Sequence, residues 1–466
     1  MDASARAADN AGIYSSSTFP SPPRLRALSV FALFLALALL VRVPGFWVDG
    51  TTDTGEFALW ARHAVADGVV HLYGSVFHAR GYWSIVDYPP MALYELAAAG
   101  HLRSAFLSHM PGIRGDIYAV KLLAVGASAA VGVLLWWIAH RRMGQARRAT
   151  VLYWANPAAV LHTSFLGYVG TLAAVPALLA LVAVESGWAA SGGALLAAGM
   201  LTKPQAMFAA PGMLVLLRGR RDAWLALAGA ALASLAIMAP MVLAGATARM
   251  TRALIGLISE GTFSAQGANV WWIVSYLVAV AQRRSAGDPA PWLARARILA
   301  ITDALGAKTE LLVVAAAWTA VLLVVGWAVW RVRARRSLPA AAAVSALSVH
   351  AYFLLAVQVH ENHLFLALPL LALVGAFDRR YLGVLVAVSA FAALNLNLFY
   401  GLTGSGGYAL PRELAGIDTT VLLAVAGLVV FAGHVRVFAR RPGASSEPDR
   451  DTRAHLVDAV RPVGVQ

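Results

Sequence analysis

The sequence predicts an all-α polytopic membrane protein of about 12 transmembrane helices, with two outer-face segments that contain interfacial helices. Three observations carry this. Hydrophobic residues fill 60% of the 466 positions and charged ones only 13%, whereas soluble domains hold roughly 45–50% apolar residues and single soluble cores stop growing near about 250–300 residues. The apolar residues come in long blocks, not in the alternation of half-buried strands, and a helix satisfies its own backbone in lipid. The blocks end on tight groups of arginine. The net charge of +14 therefore reads as topology, with Lys and Arg collecting on the cytoplasmic side, and not as a nucleic-acid surface. The chain has no cysteine, which removes disulfides, thiol nucleophiles and Cys-ligated zinc.

In chain order, residues 1–26 are rich in Ser, Ala and Pro and read as a disordered cytoplasmic amino terminus. The transmembrane domain covers 27–438, and 439–466 read as a disordered cytoplasmic tail. Span one, 27–46, follows Arg24 and Arg26 and is trailed by bulky residues, so it is a retained signal anchor. Residues 47–121 are a mixed outer segment. Span two, 122–139, runs into Arg141, Arg142, Arg147 and Arg148; span three, 149–166, contains Asn156-Pro157; span four is 169–184. Two short spans, 189–201 and 205–217, enclose Lys203-Pro204-Gln205 and end at Arg218, Arg220 and Arg221. Span seven is 223–246. Residues 247–308 are a second mixed outer segment, and its apolar piece at 270–281 is too short to cross, so it is re-entrant or interfacial. Span eight, 311–330, meets Arg331, Arg333, Arg335 and Arg336. Spans nine, ten, eleven and twelve, at 339–357, 364–377, 382–399 and 419–438, alternate between His360, Arg379-Arg380, a glycine-rich outer loop and Arg440-Arg441. With this count every arginine cluster falls on one side. Three non-basic regions then share the other: 47–121, 247–308 and the turn at His360. No internal repeat is visible.

Ionisable residues at the membrane that are not snorkelling anchors are candidate functional groups. Asp53 lies just beyond span one, in Asp53-Thr54-Gly55-Glu56. It reads either as a base that takes a hydroxyl proton or, with Thr51, as the cap of an interfacial helix starting near Glu56. In Asp87-Tyr88-Pro89-Pro90 two prolines fix an extended backbone. That suits a rigid loop presenting Asp87, and also an ordinary turn. Span nine ends in Gln358-Val359-His360-Glu361-Asn362-His363. The two histidines can share a helical face, as a metal site lacking a third ligand, as phosphate or sugar contacts, or as polar residues finishing a helix. Lys203 reads as a partner for an anionic headgroup or as a snorkelling lysine. No Walker loop, GxGxxG or HExxH is present.

Together these motifs resemble the GT-C class of multi-spanning glycosyltransferases that use polyprenyl-phosphate-linked sugars. The nearest in pattern are the dolichyl-phosphate-glucose glucosyltransferases of lipid-linked glycan assembly and their bacterial relatives. The resemblance rests on Asp53 with Trp60, Asp87-Tyr88-Pro89-Pro90, Asn156-Pro157, Ala268-Asn269-Val270-Trp271 and Gln358-Val359-His360-Glu361, in order across 45–370. Two positions depart from it. Tyr168-Val169-Gly170 replaces a Gln-x-Asn or Gln-x-Asp pair, and Asn362 replaces a lysine that often follows His-Glu.

The resemblance implies an inverting hexosyltransferase, such as a mannosyltransferase or glucosyltransferase, acting on the outer (periplasmic or lumenal) face of a bacterial inner or plasma membrane. Its partners would be a polyprenyl-phosphate-linked hexose donor, a glycan or glycolipid acceptor and membrane lipids. It implies no cofactor, no metal and no nucleic acid. Asp53 would be the base, with Asp87 beside it in the catalytic site. Lys203, His360 and Arg412 would hold the lipid phosphate, with Glu56, Tyr88, Gln358, Glu361 and His363 completing the substrate site. The competing classes are a transporter or lipid-linked-sugar flippase, which would place ionisable groups at the midplane of two related halves, and a non-catalytic scaffold, which leaves Asp53, Asp87 and His360 unexplained.

Overall fold

The computed structural model describes residues 23–79, 82–142, 144–258, 261–404 and 410–440. Apart from two short hairpins the regular structure is helical. Helix α1 (Pro23–Arg42) passes through a 3-10 turn, Val43–Trp47, into α2 (Thr52–His63), and the chain bends by 93° between them. An antiparallel hairpin follows, β1 (Val76–Ala79) with β2 (Tyr82–Ile85), pairing Val76 with Ile85. Then come α3 (Pro90–Phe106), α4 (Gly112–Arg141), α5 (Ala146–Trp154), α6 (Pro157–Val160), α7 (Gly170–Glu185) and α8 (Ala189–Thr202). A 3-10 segment, Pro204–Ala209, leads into α9 (Ala210–Leu216), followed by α10 (Arg220–Leu243) and α11 (Thr247–Ile258). The remainder is α12 (Val270–Ser285), α13 (Ile301–Leu305), α14 (Ala307–Val332), α15 (Leu338–Leu355), α16 (Ala367–Phe377), α17 (Arg380–Tyr400), the hairpin β3 (Glu413–Leu414) with β4 (Ile417–Asp418), and α18 (Thr419–Ala439).

This is an all-α polytopic architecture. Among the described residues six helices, α4, α10, α14, α15, α17 and α18, are long and apolar enough to cross a membrane, and the bent α1–α2 pair makes a seventh when taken as one span. Four shorter apolar helices, α7, α8, Pro204–Leu216 and α16, pack among them. Helices α15 and α16 form the centre, buried almost throughout, while α10 and α14 turn Leu227, Leu232, Leu235, Leu311, Leu322 and Leu323 outward. Exposed apolar surface on this scale is covered by lipid in a chain of this composition.

The bundle has two chemically different ends. At one, Arg142 Nε donates to Glu185 Oε2 (2.7 Å), Arg218 donates to the Glu185 carbonyl (3.1 Å), and Glu185 Oε1 caps the Leu338 amide (3.1 Å). Gln145 N bonds to Ala376 O at 3.1 Å, and Arg331 reaches the Ala439 carbonyl. The arginine clusters expected on one side thus meet at one end. The other end gathers α2, the β1–β2 hairpin and residues 261–269, 356–366 and 400–404.

Several boundaries differ from the sequence reading, each for a local reason. Residues 23–26, expected in the amino-terminal tail, are already helical, and α18 runs on through Ala439; the expectations for 1–22 and 441–466 lie outside the described residues. Segment 47–121 is mostly helix and hairpin, and the second span starts at Gly112, since Asp116 and Lys121 of α4 are both buried, the first paired with Arg62 and the second donating to the Gly45 carbonyl. The third span is broken. Pro157 has no amide to donate, Asn156 Oδ1 accepts from the Ala158 and Ala159 amides instead, and the chain goes on as a π turn, Leu161–Phe165. Neither outer segment is free of basic residues: 47–121 carries Arg62, Arg103, Arg114 and Lys121, and 247–308 carries Arg249 and Arg252 in α11, Lys308 at the start of α14, and Arg283, Arg284, Arg295 and Arg297 in or beside α12 and the stretch that follows it.

Candidate functional site

Asp53 is presented by the corner between α1 and α2. Lys121, buried in α4, donates to three carbonyls: Gly45 (2.8 Å), Val48 (2.7 Å) and Phe165 (2.9 Å). That uses all three of its N–H donors and clamps the corner to the π turn. Thr51 occupies the cap position of α2 but its side chain makes no capping bond, lying 3.3 Å from the Thr54 hydroxyl. Helix α2 begins at Thr52 and not near Glu56, so Asp53 stands inside the first turn and the capping reading fails. Asp53 and Glu56 are three apart and share one helix face.

The Asp87-Tyr-Pro-Pro motif is the loop between β2 and α3. Pro89 caps α3 and Pro90 is its first residue, the position where a missing amide costs nothing. The Tyr88 carbonyl accepts from Tyr73 OH (2.8 Å), and the Tyr88 ring packs edge-on against Phe57 (centroids 5.2 Å apart) and tilted against Trp60 (5.8 Å). The loop is therefore held on both sides and presents Asp87 toward α2.

Residues 358–366 are turns, not helix, so His360 and His363 do not share a helical face. They meet because the turn folds back: the His360 amide donates to His363 Nδ1 at 3.4 Å. Segment 263–267 docks beside them, with the Ala265 and Gly267 amides both bonding to Val359 O (3.1 and 3.0 Å). His363 Nδ1 also lies 2.9 Å from Tyr352 OH, and its Nε2 lies 2.9 Å from the Gln205 amide group. Burial keeps the ring neutral, with its pKa well below the usual range.

These elements enclose two adjoining cavities. The first, about 200 Å³, is polar; Asp53, Glu56, Asp87, Tyr88, Lys203, Gln266, Asn362 and Tyr400 line it with His360 and His363. The second, about 380 Å³, is an apolar groove walled by Pro204, Met207, Phe208, Trp318, Tyr352, Val357 and Gln358. Tyr88, Lys203, His360 and His363 line both. Expected groups from residue 53 to residue 363 thus converge on one place. Glu361 lies behind the wall: Tyr168 OH donates to its Oε1 (2.7 Å), as does Asn362 Nδ2 (2.9 Å). Arg412 is not brought into either lining; its guanidinium lies over the Phe399 ring at 5.8 Å.

Lys203 Nζ donates to Asn362 Oδ1 (2.7 Å). The side chain is buried, which lowers its pKa to about 8, while Glu361 and Asp53 favour the charged form. Asp53 is raised by burial, with His360 and Lys203 opposing. Glu56 is raised to about 7 by burial and by the charges of Asp53 and Asp87; a hydrogen bond from Ser84 opposes this. Ser84 Oγ accepts from Trp60 Nε1 (3.1 Å), which leaves its own proton for Glu56. Among the described residues no group of three or more His, Asp or Glu side chains is arranged to hold a metal.

Tyr168, Gln205, Gln266 and Tyr400 escaped the sequence reading as site residues. Tyr168 and Asn362 did stand out as departures from the motif pattern, and that was the available signal. Tyr400 OH donates to Gln266 Oε1 (2.8 Å), and Gln266 takes φ 69°, a left-handed conformation that a non-glycine residue rarely adopts away from a constrained site. Compared with known proteins, the chain matches no family model, and no curated protein matches it.

Proposed function

We propose that this protein is a membrane hexosyltransferase of GT-C type, moving a sugar from a polyprenyl-phosphate donor to an acceptor hydroxyl with inversion. One observation carries the reading: a carboxylate-lined polar cavity opens, through Lys203, His360 and His363, into an apolar groove. A substrate with a sugar, a phosphate and a hydrocarbon chain in that order matches the sequence of environments. The lipid lies along Phe208, Trp318 and Met207, the phosphate at Lys203 and His360, and the sugar beside Asp53, Glu56 and Asp87.

In the proposed reaction the acceptor oxygen attacks the anomeric carbon while Asp53 takes its proton. The bond from that carbon to the phosphate oxygen breaks, and the electron pair leaves on the lipid phosphate. That anion needs charge neutralisation, not protonation, and Lys203 supplies it. Burial raises the basicity of Asp53, as a general base requires. The about 12 spans of the sequence reading, with both termini and the arginine end cytoplasmic, complete the proposal.

A transporter would need its polar groups along a path between the two ends. Here the ionisable residues of the cavity belong to the site end alone, which favours the enzyme. The test is transfer by purified protein in lipid, given polyprenyl-phosphate hexoses and candidate acceptors. Asp53→Asn should fold normally and lose about 10²–10⁴-fold in kcat, the range for removing a general base. Turnover near wild type in that variant would overturn the base assignment.

A further inference from the structure

We propose that the cleft between the end of α12 and residues 293–297 binds the phosphate of an anionic membrane lipid. The cleft encloses about 560 Å³. Arg283, from the last turn of α12, and Arg295 and Arg297, from the extended segment, line it together with Gln282 and Leu293. No carboxylate is among its lining residues. Asp288 binds Arg283 at 2.5 Å and Glu413 pairs with Arg295, while Arg297 donates to the neutral Gln282 Oε1 at 3.1 Å. Two carboxylates thus answer three guanidinium groups, each of which carries five N–H donors.

The location makes the surplus informative. The arginine clusters that end the long helices meet at the opposite end of the bundle, so the bias that gathers basic residues on one membrane face does not account for these. Other arginines, such as Arg62 and Arg103, are spread over the same end, but these three line one cleft. Its wall is partly apolar: Leu293 lines it, with Ala279, Ala286 and Ala294, and Leu293 and the adjoining Trp292 are exposed; an exposed tryptophan beside arginines is the composition of a membrane–water boundary. A ligand with a phosphate and an acyl chain satisfies both parts; a free phosphate satisfies only the arginines. Ile298, next to Arg297, lines the polar cavity, which sets this lipid near the proposed reaction site. The binding itself does not depend on the transferase reading.

The test uses the full chain in detergent, mixed with phosphatidylcholine and phosphatidylglycerol, and counts retained lipids by native mass spectrometry. Wild type should keep one phosphatidylglycerol more than the Arg295→Gln/Arg297→Gln variant, and inorganic phosphate should not displace it. Phosphatidylglycerol with a photoreactive acyl chain should crosslink within residues 277–297 of the unmodified protein. Equal retention by the two proteins, displacement by inorganic phosphate, or no crosslink in that segment would each overturn the proposal. The crosslink needs no substitution, so it stands even where the double variant fails to fold.

Discussion

Glu56 is the residue whose ionisation the cavity controls most directly. Burial and two neighbouring carboxylates raise its pKa to about 7, so it is protonated below neutrality and adds a negative charge to the cavity above it. A phosphate donor approaching Lys203 then meets more repulsion. The KM for a polyprenyl-phosphate sugar should rise as pH passes upward through 7, and steady-state kinetics of Glu56→Gln should show that limb flattened. The sign for stability agrees. A carboxyl with a raised folded pKa contributes stability that is full below its unfolded value of 4.5 and is lost as pH climbs through about 7. Lys203 carries the opposite charge, and losing it above a pKa of about 8 also raises the donor KM, at higher pH than the Glu56 limb. With Asn362 at its tip, it is the cation facing both cavities, so Lys203→Met should raise donor KM about tenfold or more, the scale of one charge-assisted hydrogen bond at roughly 1.5–3 kcal/mol. An unchanged donor KM would remove the lysine from phosphate binding. The residue scale is also where the sequence was least legible. Asp53, Asp87 and His360 stand in unusual local contexts that a single segment reveals. Gln205 and Tyr400 are ordinary in their segments and acquire meaning only because separate elements meet, while Tyr168 showed only as a departure from a motif, without its role.

At the scale of elements, the apolar blocks were legible because hydropathy and length decide whether a helix suits lipid. Their breaks were partly legible, through Asn156-Pro157 and Lys203-Pro204. Interfacial helices were expected in the outer segments, but the start of α2 and the place of α3 were not legible, because half-buried helices against a bundle carry a mixed composition without a clear boundary. The closest helix contact was also hidden. A Cβ on Gly193 of α8 would stand 1.8 Å from the Ala226 carbonyl of α10, and one on Gly229 of α10 would stand 2.0 Å from the Ala190 carbonyl of α8. The two backbones touch, as small residues allow in lipid. Gly229→Val should force them apart and cost about 1–3 kcal/mol, the range for overpacking, seen as a lowered unfolding temperature in detergent. Because α8 ends at Thr202, beside Lys203, donor turnover should fall with it. Gly326→Val, in open space on α14, is the control and should shift neither. Equal unfolding temperatures for the two variants would show that α8 and α10 do not pack so closely.

At the scale of the whole molecule, the proposal requires the polar cavity and the arginine clusters to face opposite compartments. The internal contacts already set them at opposite ends: Arg142, Glu185, Arg218 and Leu338 meet at one, while Lys203, Asn362, Glu361 and Tyr168 meet at the other. The proposal puts the arginine end in the cytoplasm on the strength of the arginine bias, and the chain lends itself to a direct measurement because it contains no cysteine. Val76 lies exposed in β1 at the site end, and Arg220 lies exposed at the start of α10 at the other. In intact cells a membrane-impermeant maleimide should label Val76→Cys and leave Arg220→Cys unmodified until the membrane is opened. Labelling of both before permeabilisation would mean that the two ends are not separated by a bilayer. The reverse pattern would turn the cavity toward the cytoplasm, where a base at Asp53 could not serve an outer-face acceptor.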